Sequence, residues 1–337
     1  MKNYIVFDVG DALYSMYIGE NSSKSVFDFG SSPQKLVGND YLFAKTFVIS
    51  HFHEDHYVNF TLCNDNSLTI DNLIIPKLPN DPVIQDSMKA FMTIQLYYLG
   101  KITGYFESDL LNLIRQKNQN DFSVIRVCKD ETFTASQHDF KVLWPDINYL
   151  SRLKSISNAL KKFKDVTSKN DLFRKFHDQV KDSNFWKSDY VRLSEIKNGI
   201  KIKLTSDEEE EIRSVNDSLK RLANDICLAF DREAEILFLG DLSDRALDEL
   251  FKQYFKTKIH YDVILSAHHG THSSIEKNWR NVTACAVVTS GGRQMVRKFR
   301  GAYYCWSKNQ HHTYCKEEFR ALRYIRICKL LKIWKFK

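Results

Sequence analysis

The 337-residue chain has little of the two residues that punctuate loops, with five prolines and 12 glycines. It has no low-complexity linker and no internal repeat, which argues against tandem modules and solenoids. No apolar run approaches the about 18 residues that a membrane-spanning helix needs; runs such as Val263-Ile264-Leu265 and Ile226-Cys227-Leu228-Ala229-Phe230 are far shorter. At the N-terminus an acid, Asp8, stands where a secretory signal needs an apolar stretch. The chain is therefore expected to stay in the cytoplasm. Its seven cysteines are odd in number and include no C-x-x-C pair. Neither a disulfide framework nor a thiolate zinc knuckle is expected from them.

What is present describes a globular protein. Hydrophobic residues make up 43% and aromatic residues 13%, enough burial to exclude disorder as the main state. Length alone suggests about two domains. No boundary shows in the composition, so one α/β body with a helical insertion is the better reading. The net charge is +7 and unevenly placed. Arg320, Arg323, Arg326, Lys329, Lys332, Lys335 and Lys337 form an acid-free C-terminal stretch. A second basic segment spans Ser151 to Tyr190. Two basic segments on an otherwise acidic body suggest an anionic partner such as nucleic acid, or else merely solvated helix faces.

Short runs rich in Val, Ile, Tyr and Phe read as strands at Tyr4–Val9, Ala12–Ile18, Ser25–Phe29 and Thr46–Ser50. Further strands are expected at Phe122–Cys128, Phe140–Trp144, Ile226–Phe230, Glu235–Leu239, Val263–Ser266 and Ala286–Thr289. Apolar residues recurring every three or four positions predict helices from Asp81 to about Asn118 and from Leu242 to Phe255. The same periodicity predicts a helical insertion over about 147–222. The three-residue spacing of basic residues after 320 predicts a basic amphipathic helix.

The strongest chemical signal is His51-x-His53-x-Asp55-His56, directly after a buried strand. Four metal-favoured side chains on one strand-to-loop segment can converge. In this reading His51 and His53 point to one ion, Asp55 and His56 to a second. Two later strands also end in ligand types: Glu235–Leu239 runs into Gly240-Asp241, and Tyr261–Ser266 into Ala267-His268-His269-Gly270.

With these motifs together the chain resembles a metallo-β-lactamase-fold hydrolase. More narrowly it is similar to the soluble hydrolase domain of the competence DNA-uptake protein ComEC and its stand-alone relatives. Phe7-Asp8-Val9-Gly10-Asp11-Ala12 resembles that family's opening motif, shortened by two residues. Phe27-Asp28-Phe29-Gly30 resembles the strand end whose acid braces the metal loop. Asn224-Asp225 through Gly240-Asp241 and His268-His269-Gly270 with Ser273-Ser274 resemble two further elements. The resemblance implies a four-layer αβ/βα sandwich with a helical insertion, as a hydrolase domain over 1–319 followed by a basic segment at 320–337. It implies two divalent ions, Zn or Mn, held by His51, His53, Asp55, His56, Asp241 and His268, with Asp241 bridging. His268 is taken as the ligand because it is nearer the strand end. Asp55 would orient the nucleophile, and His269 would donate to the developing negative charge. Asp28 would be structural support.

The chain departs from the family in three places. Tyr57-Val58-Asn59-Phe60 replaces a Gly-Gly turn after the metal motif. The superfamily's extra histidine between the metal motif and Asp241 has only His138 and His177 as counterparts, which could leave the His51–His53 site incomplete. His138 is the better candidate, and His177 is expected to face solvent. His311 and His312 stand where the family closes its site, but without the family's proline, and could touch substrate or be loop histidines. The resemblance implies phosphodiester hydrolysis of nucleic acid or nucleotides. Two other readings remain: a hydrolase of esters, lactones or β-lactams, and a non-catalytic nucleic-acid or partner-binding module.

Overall fold

The computed structural model describes residues 3–7, 9, 12–31, 39–104, 106–152, 157–191, 202–232, 234–271, 277–291, 310–312, 324–328 and 333–336. Three antiparallel strands come first, β1 (Asn3–Phe7), β2 (Tyr14–Ile18) and β3 (Lys24–Phe29). The chain then runs parallel through β4 (Ala44–Val48), β5 (Asn72–Pro76) and β6 (Phe122–Val127). Helices α1 (Pro82–Thr103) and α2 (Leu110–Lys117) lie between β5 and β6. A hairpin of β7 (Thr132–Ala135) and β8 (His138–Trp144) follows.

The insertion contains α3 (Ile147–Leu150), α4 (Ser157–Lys169), α5 (Asp171–Asp182), the short β9 (Tyr190–Val191) and α6 (Ser206–Ile226). The chain continues through β10 (Ala229–Arg232), β11 (Ile236–Phe238), α7 (Asp244–Tyr254), β12 (Ile259–Leu265) and β13 (Val282–Thr289). It ends in β14 (Gln310–His312), β15 (Tyr324–Cys328) and β16 (Ile333–Phe336).

These strands form two mixed sheets. One has the order β16-β15-β1-β2-β3-β4-β5-β6-β9, the other β14-β13-β12-β11-β10-β8-β7. Alternation sends half of each strand's side chains to each face. The inner faces meet in an apolar layer that includes Val6, Phe27 and Val48 from the first sheet and Phe140, Phe230 and Phe238 from the second. The outer face of the first sheet packs against α1, α2 and the insertion. The outer face of the second is covered by α7. The layers are therefore helices, sheet, sheet, helix, an α/β sandwich with both faces of both sheets covered.

Local signals explain why the long helices start where they do. The Asp81 carboxylate accepts from Val83 N and Ile84 N at 2.9 and 3.1 Å, with Pro82 in the first turn. Both are favoured helix-start features. Thr205 and Glu208 form a reciprocal capping box at the start of α6. The insertion adds β9 to the first sheet beside β6 and docks its helices on α1: Gln95 Nε2 donates to Asn216 Oδ1 at 2.7 Å, and Tyr97 OH to Glu209 at 3.0 Å.

Several expectations need correction. The basic C-terminus is not a helix: its described backbone forms β15 and β16, an antiparallel pair that adds to β1. Without it β1 would be an open sheet edge, and such an edge is a strong template for strand pairing. The alternation Tyr324-Ile325-Arg326-Ile327-Cys328 suits a strand as well as the charge spacing suited a helix. Strands β5, β7, β9 and β14 were not anticipated. His177 does not face solvent: it is partly buried, its ring packs edge-on to Phe163, and its Nδ1 lies 2.9 Å from Thr93 Oγ1.

Candidate metal centre

The sequence-predicted ligands come from the carboxyl ends of strands that meet at one edge of the sandwich. Ser50 to His56 follow β4, Asp28 lies near the end of β3, Asp241 follows β11, and His268 and His269 follow β12. Two contacts join the sheets here. Leu228 N donates to Ser50 O at 2.7 Å, and Ser290 Oγ donates to Ala12 O at 2.7 Å.

Two overlapping groups of ligand atoms result: His51, His56 and Asp241, and Asp55, His56 and His269. Within each group the atoms lie within 4.8 Å of one another. His51 Nε2 and His53 Nδ1 are in direct contact. Asp241 Oδ2 lies 3.6 Å from His56 Nε2 and 3.5 Å from His269 Nε2. His56 Nε2 is also 3.9 Å from Asp55 Oδ1. His56 thus belongs to both groups, where the sequence reading had assigned it to one site, with Asp55, His268 and the bridging Asp241.

The two adjacent histidines separate. His269, expected to act on the substrate, lies inside the second group, while His268, expected to be the ligand, lies outside both. The backbone is the reason. His268, His269 and Gly270 take φ of 46°, 54° and 72°, a left-handed run that turns the second imidazole inward. Left-handed conformations are disfavoured for residues with a Cβ and tend to be held at functional sites.

Hydrogen bonds fix each ring. Asp28 accepts from Ser50 N and Ser50 Oγ, both at 2.7 Å, and its Oδ2 lies 2.9 Å from His56 Nδ1. His56 Nδ1 therefore carries a proton, and Nε2 is turned toward Asp241. The Ser50 hydroxyl has given its one proton to Asp28, so it accepts from His51 Nδ1 at 3.2 Å. His269 Nδ1 donates to the Ser290 carbonyl at 2.6 Å, again presenting Nε2 inward. A partner on the far nitrogen is how metal-ligating histidines are usually oriented.

Close packing holds the loop. A Cβ on Gly30 would sit 1.6 Å from the Asp55 carbonyl oxygen, so only glycine lets β3 approach the loop this closely. Glu54 N donates to Gln95 Oε1 at 3.1 Å, and Gln95 is the residue that α6 also holds. The insertion thus braces the loop through α1.

Burial pushes His51 and His53 well below the usual histidine range, and neighbouring imidazoles add to this. Burial also opposes a proton on His56 and His269, but nearby carboxylates outweigh it and raise both: Asp28, Asp55 and Asp241 at His56, and Asp241 and Asp55 at His269. Burial would raise Asp241, yet His269 and His56 hold it well below the usual carboxylate range. Glu54 is pushed up to about 7 by burial and by Asp55 beside it.

The donor set fits a metal. Among the described residues, His53 Nε2, His56 Nε2 and Asp241 Oδ1 are buried with no hydrogen-bond partner. A buried polar atom without a partner costs about 1–3 kcal/mol, and three in one cluster of imidazole and carboxylate would be satisfied by cations of the zinc or manganese type.

The other candidates lie elsewhere. His138 packs edge-on to Tyr17 and takes a hydrogen bond from Arg232 at 3.0 Å, so it does not complete the His51–His53 pair. The backbone of His311 and His312 pairs with Val288 and Thr289, the last two residues of β13, just before Ser290. Asp8, Gly10, Asp11, Ser273 and Ser274 lie outside the described residues. Sequence reasoning missed Cys227 and Lys220. The Cys227 thiol accepts from Asp241 N at 3.1 Å and lies 3.7 Å from His51 Nδ1. Lys220, on the insertion's last helix, is exposed and close enough to disfavour protonation of His53 and His268. No local sequence signal marks either one. Compared with models of known protein families and with curated proteins, the chain matches none.

Proposed function

We propose that the chain is a metallo-β-lactamase-type hydrolase that cleaves phosphodiesters of nucleic acid or nucleotides. The observation that carries this reading is the convergence of ligand-type atoms that follow β4, β11 and β12 at one sheet edge, with those of His53, His56 and Asp241 buried and unpartnered among the described residues. The helix–sheet–sheet–helix layering supports it, as does the oriented far side of each imidazole.

In this reading His51, His53, His56, Asp55, Asp241 and His269 hold two divalent ions. Such ions supply Lewis acidity and bring the ionisation of water to near neutral pH. Asp28 keeps the proton on His56 Nδ1, so Nε2 stays available. Ser290 does the same for His269. Asp55 is the ligand most open to solvent, with a side chain 35% exposed. It is placed to accept a proton from the attacking water and to align it with the phosphorus. Lys220 at the rim adds positive charge where a phosphodiester would enter, which favours an anionic substrate over a neutral ester or lactone.

The test is a substrate panel with zinc- or manganese-loaded protein: single- and double-stranded DNA, RNA, cyclic nucleotides, p-nitrophenyl acetate, a lactone and a β-lactam. Phosphodiesters should be turned over, and Asp55→Ala should remove that activity while the protein stays folded. Turnover of the ester, lactone or β-lactam alone would reject the phosphodiesterase reading.

A further inference from the structure

A cavity of about 370 Å³ lies beside the candidate metal loop, whose Phe52 is part of its lining. Its size lies within the range of small-molecule sites. Five cations line it, Lys77, Lys89, Arg126, Lys181 and Lys187, and no lining residue is acidic. The sheet supplies Lys77 and Arg126 from the ends of β5 and β6, α1 supplies Lys89, and the insertion supplies Lys181 and Lys187.

The carboxylates that face these cations sit outside the cavity. Lys77 pairs with Glu131 at 3.0 Å, Lys181 with Asp178 at 3.8 Å, and Lys187 with Asp182 at 3.4 Å. Arg126 is anchored by Asp189 and the Phe185 and Ser188 carbonyls. Exposed pairs of the lysine type contribute little, so a stronger anion can take the lysines over. Lys89 is partly buried and has no ion pair or side-chain hydrogen bond among the described residues.

Three aromatic rings share the same cavity: Phe52, Phe185 and Trp186. Trp186 is locked by donation from Nε1 to Val180 O at 2.8 Å and packs edge-on to Phe185 at 4.8 Å. It remains partly exposed. A fixed, partly open indole beside unpaired positive charge suits a ligand that joins a planar ring to a phosphate. Stacking of a base on an aromatic side chain is favourable for every base, because each has a π-face. A pocket of this limited volume suits one nucleotide and not the track of a polymer.

We propose that this cavity binds a nucleoside monophosphate, with the phosphate among Lys89, Lys181 and Lys187 and the base against Trp186. The insertion would then have a ligand-binding role besides bracing the loop. The proposal does not depend on the metal cluster being hydrolytic. Titration calorimetry in EDTA on the full chain, with adenosine 5′-monophosphate, adenosine and inorganic phosphate as probes, tests it. The monophosphate should bind at least tenfold more tightly than either fragment. Lys89→Gln should weaken it at least fivefold, and Lys181→Gln should weaken it in the same direction. Trp186→Leu should remove its advantage over phosphate. Asp241→Asn, in the metal cluster, should leave binding unchanged. Failure of the monophosphate to bind, equal affinity for phosphate alone, no effect of Lys89→Gln or Lys181→Gln in folded protein, or loss of binding in Asp241→Asn would each overturn the proposal.

Discussion

His56 Nδ1 lies 2.9 Å from Asp28 Oδ2, and both side chains are fully buried. The pair joins two strands, because Asp28 belongs to β3 and His56 follows β4. It also decides which imidazole nitrogen faces the cluster. Asp28 itself takes a left-handed backbone conformation, φ 55°, which turns its carboxylate into the loop.

Asp28→Asn should therefore act on metal affinity. An amide keeps one acceptor oxygen where the carboxylate receives three hydrogen bonds, from Ser50 N, Ser50 Oγ and His56 Nδ1. Loss of such a supporting partner typically costs 10–100-fold in metal affinity. Zinc titration of stripped protein should show a fall of about that size, with a melting temperature lowered by the loss of buried hydrogen bonds. Wild-type affinity in this variant would remove Asp28 from the site.

The adjacent histidines should behave differently. His269→Ala should lose one metal equivalent, because its Nε2 sits with Asp55 and His56. His268→Ala should keep both. The comparison is informative because both residues share the same strained turn, so a merely structural effect would strike the two variants alike.

His177 predicts a pH dependence of stability. Burial lowers its pKa to about 4, against an ordinary 6.5. Between pH 6.5 and 4 the unfolded chain binds a proton there that the folded chain does not. Stability should therefore fall as the pH drops through this window, by at most about 3 kcal/mol and by less to the extent that solvent screens the ring. Urea unfolding at pH 7 and pH 4.5 should show this slope in the wild type and a shallower one in His177→Gln. An unchanged slope would mean that His177 is charged in the folded state.

The first segment of the candidate site was legible because its four ligand-type residues lie within six positions at a strand end. The later candidates were legible as acids or histidines directly after apolar strands. What could not be read was the direction of a side chain. Whether His268 or His269 points inward depends on a left-handed turn that the sequence marks only by Gly270. Cys227 and Lys220 approach the site only through tertiary packing. The C-terminus shows the limit of periodicity: a short segment of alternating basic and apolar residues satisfies two patterns, and the open edge of β1 selects the strand. The same ambiguity hid β5, whose Leu73-Ile74-Ile75 run is too short to separate from a loop by pattern alone.

The central claim is that the buried cluster of His51, His53, Asp55, His56, Asp241 and His269 is a metal centre. Elemental analysis of the full chain, stripped, reloaded with zinc and desalted, tests it most directly. The account predicts two equivalents per chain in the wild type and a clear loss in Asp241→Ala, whose carboxylate lies beside both His56 and His269. Less than a tenth of an equivalent in folded wild-type protein, or equal retention by Asp241→Ala, would contradict it.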